Sequence, residues 1–108
     1  MKEILEFFTK KNIFFKSFRE VDKALLKTRK KLIIYVSTDN KSNYHSIFIV
    51  EQKSRFLLRN AIELVSIEAN LQNLEKHNFK YKHLLVSAQK CSKASSYLKE
   101  KGWKIDSM

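Results

Sequence analysis

The chain has 108 residues, of which 44% are hydrophobic, and 22 lysines and arginines oppose 11 acids, for a formal net charge of +11. This length predicts one domain with one hydrophobic core. The single cysteine, Cys91, excludes an intramolecular disulfide framework, and the single glycine excludes glycine-rich nucleotide-binding loops. No apolar run approaches the roughly 18 residues of a membrane span, and the amino terminus lacks a signal-peptide layout, so we expect a cytoplasmic protein that does not contact a membrane.

The first third of the sequence predicts two helices. A short amphipathic helix is expected over residues 3–11. A second helix is expected over about 16–30, because Phe18, Val21 and Leu25 recur at spacings of three and four.

Two β-branched apolar runs, 32–36 and 47–50, flank a polar segment over 37–43 that is rich in turn-forming residues. This arrangement predicts an antiparallel hairpin. Neither run alternates cleanly between apolar and polar residues, so we expect both strands to be covered on two faces and to lie centrally in a sheet.

The longest periodic element is a helix predicted over about 55–76, with apolar residues recurring every three or four positions. A strand over 82–87 follows, and then a helix that Ser92 can cap and that runs to Lys101. Gly102 should supply the left-handed residue that ends this helix, before a final short strand. The predicted order α-α-β-β-α-β-α-β makes residues 1–108 a single-domain α/β sandwich, in which helices flank a mixed sheet with a central antiparallel hairpin.

Five basic residues follow one another at spacings of three, four, four and three, which on a helix would form one positive stripe: Lys16, Arg19, Lys23, Lys27 and Lys30. Such a stripe, with the net charge, indicates a polyanionic partner, and nucleic acid before a membrane or an acidic protein. Eighteen of the 22 basic residues are lysine, so a solvated surface that reflects only composition is the alternative.

Further phosphate contacts are predicted at five basic residues outside the stripe: Lys53, Arg55, Arg59, Lys80 and Lys82. The segment 76–83 mixes basic and aromatic side chains, which is typical of contacts with single-stranded nucleic acid. Phe14, Phe79 or Tyr81 could stack on unpaired bases if exposed beside the lysines. Because arginines are few, we expect little recognition of base sequence.

One local pattern suggests catalysis: the predicted second strand of the hairpin ends in Glu51-Gln52-Lys53 and leads directly into the long helix. This pattern resembles the PD-(D/E)XK nuclease superfamily, which includes restriction endonucleases and Holliday-junction resolvases. The resemblance covers about residues 16–87, including the order helix, hairpin, helix, strand. It implies that Glu51 binds Mg²⁺ and that Lys53 stabilises charge near the scissile phosphate.

The superfamily also needs a second acid close to the Glu-x-Lys pair. Asp39 is the nearest upstream acid, but it falls in the predicted hairpin loop, on the order of 20 Å from Glu51. Glu20 or Asp22, on the predicted preceding helix, could take its place. No cofactor is certain from the sequence, and Mg²⁺ is expected only if the chain is a nuclease.

Three functions therefore stay open. The first is a small basic protein that binds nucleic acid through phosphates; the second is an Mg²⁺-dependent nuclease. The third is a protein-interaction module that docks through Ile4, Leu5 and Phe8, and a homodimer is compatible with it. The three histidines and Cys91 form no recognised zinc pattern, and we expect surface or partly buried side chains for them.

Overall fold

A computed structural model of the chain describes residues 6, 8–10, 14–21, 32–50, 54–76, 79–87 and 89–107. Within these residues, five strands form one sheet: β1 (Phe15–Val21), β2 (Leu32–Asp39), β3 (Tyr44–Val50), β4 (Tyr81–Val86) and β5 (Trp103–Ser107). Two helices follow the hairpin and β4 respectively: α1 (Leu58–Glu75) and α2 (Ser92–Glu100). Residues 6 and 8–10 are also helical.

The strands are ordered β1-β2-β3-β4-β5 across the sheet. The first three pair antiparallel, whereas β4 and β5 run parallel to β3. This mixed α/β sheet, with the β2–β3 hairpin inside it, confirms the predicted fold class. Parallel strands need crossover connections, and α1 and α2 provide them.

Both faces of the sheet are buried, as the uneven apolar pattern of the hairpin predicts. The helices pack on one face over a cluster that includes Phe48 and Trp103, whose ring centroids lie 5.3 Å apart; we call it the helix-side core. The other face carries a smaller cluster, here the aromatic core: Phe8, Tyr35, Ile47, Ile49 and Leu85, with Phe15 and Phe18 packed against it.

Phe8 is buried in the aromatic core, in edge contact with Phe15 at 5.3 Å between ring centroids. The prediction that Phe8 docks a partner protein is therefore wrong, because its side chain is already covered within the chain. Ile4 and Leu5, the other two residues of that predicted face, lie outside the described residues.

Helix α1 confirms the long helix expected over 55–76. Its buried residues include Ala61, Leu64, Ile67 and Leu71, at the spacings that keep one side of a helix against the sheet. In the first turn the Leu57 amide donates to the Asn60 side chain at 2.9 Å. No described helix is long and apolar enough to cross a bilayer.

The second helix, predicted over about 16–30, is wrong over 16–21, because Phe15–Val21 forms the edge strand β1 instead. The register against β2 shifts between Phe15 and Ser17, so Lys16 is an extra residue in a β-bulge. Residues 22–30 lie outside the described part of the chain.

The bulge explains why β1 imitates a helix in the sequence. It brings Phe15 and Phe18 to the same face, with ring centroids 5.5 Å apart, although they are three positions apart. Val21 lies three positions further on and belongs to the helix-side core on the opposite face. A bulged strand that is covered on both sides thus shows apolar residues at helical spacings.

Helix α2 begins at Ser92, and Cys91 rather than Ser92 caps it: the Cys91 sulfur accepts the Ala94 amide at 3.3 Å. At its far end Gly102 has φ +85°, the left-handed conformation that the sequence predicts. A Cβ atom added there would meet nothing within 4 Å.

Gly102→Ala should therefore destabilise the protein through backbone strain alone, by about 1 kcal/mol in free energy of unfolding. Gly102→Asn should cost less, since asparagine tolerates the left-handed region better than alanine does. Urea denaturation of the two variants tests this, and equal losses would show that backbone strain is not the cause.

Candidate functional site

The best-defined polar site lies where the β2–β3 hairpin turns, at the start of β4, and we call this region the hairpin end. The sequence had placed Asp39 in the hairpin loop, but it is the last residue of β2. One of its carboxylate oxygens, Oδ1, accepts the backbone amides of Lys41 at 2.8 Å and Asn43 at 2.9 Å. These bonds hold the turn closed in the manner of an Asx turn.

The other Asp39 oxygen starts a chain of buried hydrogen bonds. Oδ2 lies 2.9 Å from Nε2 of His45, and Nδ1 of His45 lies 2.9 Å from Nε2 of His83. The three residues are 7%, 2% and 3% exposed, respectively. They come from β2, β3 and β4, so the chain of hydrogen bonds crosses the central part of the sheet.

Charge and tautomer in this chain follow from the hydrogen bonds. Burial raises the pKa of Asp39, but the hydrogen bond from His45 and the two backbone amides outweigh it and hold the pKa well below its ordinary value. Burial lowers the pKa of His45 more than the neighbouring Asp39 raises it, and Lys104 lowers it further.

His45 is therefore neutral and Asp39 ionised at neutral pH. Because a carboxylate only accepts, His45 donates its Nε2 proton to Asp39. Its Nδ1 then accepts, and His83 donates from Nε2. Both ring nitrogens of His45 are engaged, so this histidine positions its neighbours and is not a free acid or base.

Aromatic rings surround the hydrogen-bonded residues Asp39, His45 and His83. Tyr81 stacks on His45 with ring centroids 4.7 Å apart and an interplanar angle of 26°. Phe15 meets His45 edge-on at 5.1 Å, and Phe8 meets His83 edge-on at 4.9 Å. The three polar residues run in a line, and across the described residues no group of histidine, cysteine and acidic side chains could hold a metal ion.

Four lysines that are far apart in sequence surround this region, and we call them the hairpin-end lysines: Lys16, Lys41, Lys80 and Lys104. Lys16 donates to the Ser42 hydroxyl at 2.9 Å. The Nζ atoms of Lys80 and Lys104 lie 5.6 and 5.0 Å from the centroid of the Tyr81 ring, within range of cation–π attraction. Lys41 lies in the turn itself, in the cleft that Lys104 also lines.

The structure divides the predicted basic stripe. Lys16 and Arg19 lie on strand β1, so they do not belong to one side of a helix; Lys16 occupies the bulge, whereas Arg19 forms an ion pair with Glu75 of α1. The other members of the stripe, Lys23, Lys27 and Lys30, lie outside the described residues.

The remaining predicted contacts occupy both ends of the sheet. Lys80 precedes β4 and Lys82 is half-buried within it, at the hairpin end. Arg55 and Arg59 are exposed around the start of α1, beyond the far end of β3.

The predicted catalytic residues are described only in part. Glu20 is exposed on β1 and faces Tyr35 of β2. Asp22, Glu51 and Lys53 lie outside the described residues. Leu32 pairs with Val50, whereas Asp39 adjoins the turn, so Asp39 lies at the opposite end of the hairpin from Val50, as expected from the sequence.

The prediction of surface or partly buried histidines was wrong for His45 and His83, which are fully buried; His77 lies outside the described residues. The sequence does contain one signal for this site. Asp39 and Asn43 flank a turn, and His45 follows two positions later, which puts it on a defined face of β3. The partnership with His83 has no local signal, because 38 residues separate the two histidines.

Stability is expected to fall as the pH drops below about 6.5, the ordinary pKa of histidine. Because burial lowers the pKa of His45, the unfolded chain takes up this proton at higher pH than the folded protein does. The free energy of unfolding then falls by at most about 1.4 kcal/mol per pH unit for this group. The stability that Asp39 contributes above its ordinary pKa of 3.8 is lost as the pH falls toward its lowered pKa.

His45→Gln should be less stable at neutral pH, by about 1–3 kcal/mol, because it removes a buried hydrogen-bond partner. Its stability should change less than that of the unmodified protein between about pH 7 and about pH 5. Urea denaturation across this range measures both effects. The same pH slope in both proteins would assign the titration to a different group.

No family model matches this sequence, and no curated protein matches it. Solved structures do match. EndoMS in its apo form has a TM-score of 0.59 at 12% identity, over 99% of this chain and 45% of that chain. An EndoMS–dsDNA2 complex has a TM-score of 0.55 at 17% identity, over 99% and 41%.

A repair endonuclease from Pyrococcus abyssi has a TM-score of 0.54 at 12% identity, over 86% of this chain and 39% of that chain. The present chain thus spans less than half the length of these proteins. At such identities the likeness shows a shared fold, and this chain has the α/β fold of the matched part of these proteins.

Proposed function

We propose that the chain binds nucleic acid through phosphates, with low sequence specificity. The observation that carries this proposal is the gathering of Lys16, Lys41, Lys80 and Lys104 at one end of the sheet, from four separate parts of the chain. Concentrated positive charge attracts the phosphate backbone whatever the base sequence. The excess of lysine over arginine favours point-charge contacts over bidentate readout of bases.

The fold supports the same proposal. EndoMS has been solved in complex with double-stranded DNA, and its fold resembles that of this chain over 99% of the residues. The phosphate contacts proposed from the sequence are retained here: Lys16, Lys23, Lys27, Lys30, Lys53, Arg55, Arg59, Lys80 and Lys82. Arg19 is retained as a weaker contact, because Glu75 already balances its charge.

Lys80→Gln should weaken binding to all sequences about equally and lower the dependence of log affinity on log salt by roughly one unit. Fluorescence anisotropy over a salt series with two unrelated DNA sequences measures this. Lys93→Gln is the matched control, because Lys93 is exposed in the first turn of α2, which follows the carboxyl end of β4 and so lies at the opposite end of the sheet from the hairpin end. Equal losses for the two variants would mean that net charge alone, and not the hairpin end, determines binding.

The second candidate function is Mg²⁺-dependent cleavage, favoured by the fold shared with a repair endonuclease. Glu51 would bind the metal, and Lys53 would stabilise charge on the phosphate. Glu20 is poorly placed as the second acid. Glu20 pairs with Tyr35 of β2, and Tyr35 pairs with Ile47 of β3. Glu20 is thus two strands away from β3, level with a residue three positions before Val50. Strand geometry makes that separation on the order of 14 Å, so Asp22 is the better second acid in this proposal.

Glu51→Gln should reduce Mg²⁺-dependent cleavage of plasmid DNA by roughly 100-fold or more, since metal activation supplies several kcal/mol to the transition state. Binding measured in EDTA should be retained. Glu100→Gln, an exposed acid on α2, is the control for charge. Cleavage that survives in Glu51→Gln would exclude this site, and absence of cleavage in the unmodified protein would leave only the binding function.

A further inference from the structure

We infer that a cleft at the hairpin end holds one unpaired nucleotide of a single-stranded nucleic acid, an inference that rests on the proposed nucleic-acid binding. The cleft has a volume of about 170 Å³ and lies between the start of β1, the β2–β3 turn and the first residues of β4 and β5. This is below the roughly 300 Å³ at which pockets for drug-sized ligands begin. The cleft is therefore large enough for one base, and the phosphate of that nucleotide would lie outside it.

Phe14 provides the stacking surface. Its side chain is 50% exposed, although its neighbour Phe15 packs against the aromatic core. The Phe14 carbonyl accepts the Asn40 amide at 2.9 Å, so the backbone that carries the exposed ring is fixed to the turn. A fixed, exposed aromatic ring is the element on which single-strand binding proteins stack bases.

Tyr81 also lines the cleft but has a different role. His45 stacks against its ring, and Lys80 and Lys104 lie close to that ring. Tyr81 therefore forms one side of the cleft and positions the ammonium groups of Lys80 and Lys104. Phe14 is the ring on which a base can stack.

Amide side chains complete the polar part of the cleft. Asn40 is exposed and Asn43 is half-buried, and both line it. Each amide has a hydrogen-bond donor and an acceptor, the combination presented by the edge of a base. The Asp39 carboxylate also lines the cleft, but it accepts three hydrogen bonds from within the chain, which reduces its repulsion of an anionic ligand.

The charges around the cleft suit phosphates on either side of the bound base. Lys41 and Lys104 line it, and Lys16 holds the turn beside it through Ser42. Within a duplex each base is stacked and paired, so it cannot place a free face on Phe14. The cleft therefore selects single-stranded over double-stranded nucleic acid, whether DNA or RNA.

Phe14→Ala tests this directly. We expect the affinity for a labelled single strand of about 20 nucleotides to fall roughly 5- to 100-fold, as loss of one stacking partner predicts. Affinity for the matching duplex should change less than about twofold, because duplex binding depends on phosphates. Fluorescence anisotropy in EDTA, at about 0.1 M salt, measures both with DNA and RNA versions of each probe.

Phe14→Tyr is the matched control, because it keeps the aromatic face, and its single-strand affinity should stay within about twofold of the unmodified protein. Asn40→Ala is an independent second variant, since it removes an exposed amide from the cleft and leaves the backbone bond to Phe14 in place. It should lower single-strand affinity and leave duplex affinity unchanged. Circular dichroism confirms that each variant is folded.

The outcomes separate the two proposals. Binding of neither single strand nor duplex by the unmodified protein would refute nucleic-acid binding itself. Binding that is unaffected in Phe14→Ala and Asn40→Ala would leave nucleic-acid binding standing and overturn the cleft. Equal losses for single strand and duplex would also overturn it, as would full competition by millimolar inorganic phosphate, which would make the cleft a simple anion site.

Discussion

The hydrogen-bonded chain from Asp39 through His45 to His83 is the constraint on which the hairpin end depends. A buried carboxylate costs several kcal/mol unless it is hydrogen-bonded, and Asp39 accepts three bonds that close the turn and cross to the neighbouring strand. Because side chains alternate along a strand, a slip of β3 by one position would turn His45 towards the helix-side core, and the same slip of β4 would turn His83. These hydrogen bonds therefore fix the register of β2, β3 and β4, which positions the strand residues around the cleft.

Much of the fold follows from local patterns, and those parts could be predicted. The spacing of apolar residues in α1 and the turn-forming residues between two β-branched runs specify those elements without reference to the rest of the chain. Gly102 marks the end of α2 because glycine adopts the left-handed conformation at this position without strain. Strand β1 escaped prediction because Phe18 and Val21 are three positions apart, as on one side of a helix, although they pack on opposite faces of the sheet. Apolar residues three positions apart can lie on one side of a helix or on the two faces of a strand, and the residues of 15–21 do not distinguish these two cases.

The site was harder to predict from the sequence than the fold, because its residues come together only through the order of strands in the sheet. His45 and His83 are joined across a parallel pair of strands, so a crossover through helix α1 separates them in the sequence. Lys16 and Lys80 were predicted as phosphate contacts, Lys16 as part of a helical stripe although it lies on strand β1. Their gathering with Lys41 and Lys104 depends on the strand order, which no single segment encodes. Asp39 was correctly set apart from the strand end that precedes Glu51, yet its role in the turn was not foreseen.

The sheet direction separates the two proposed activities in space. Strands β3, β4 and β5 are parallel, so the hairpin end holds their amino ends and Glu51 follows the carboxyl end of β3 in sequence. Ligands of α/β sheets commonly bind beyond the carboxyl ends of the strands, which makes the amino-end cleft an additional contact region rather than the reaction centre. A strand such as β3, with seven residues, spans about 23 Å, so a single nucleic-acid chain of several nucleotides is needed to reach both regions. Side chains of the two regions cannot touch across that distance, so a substitution at the hairpin end should change affinity without altering the geometry around the carboxyl end of β3.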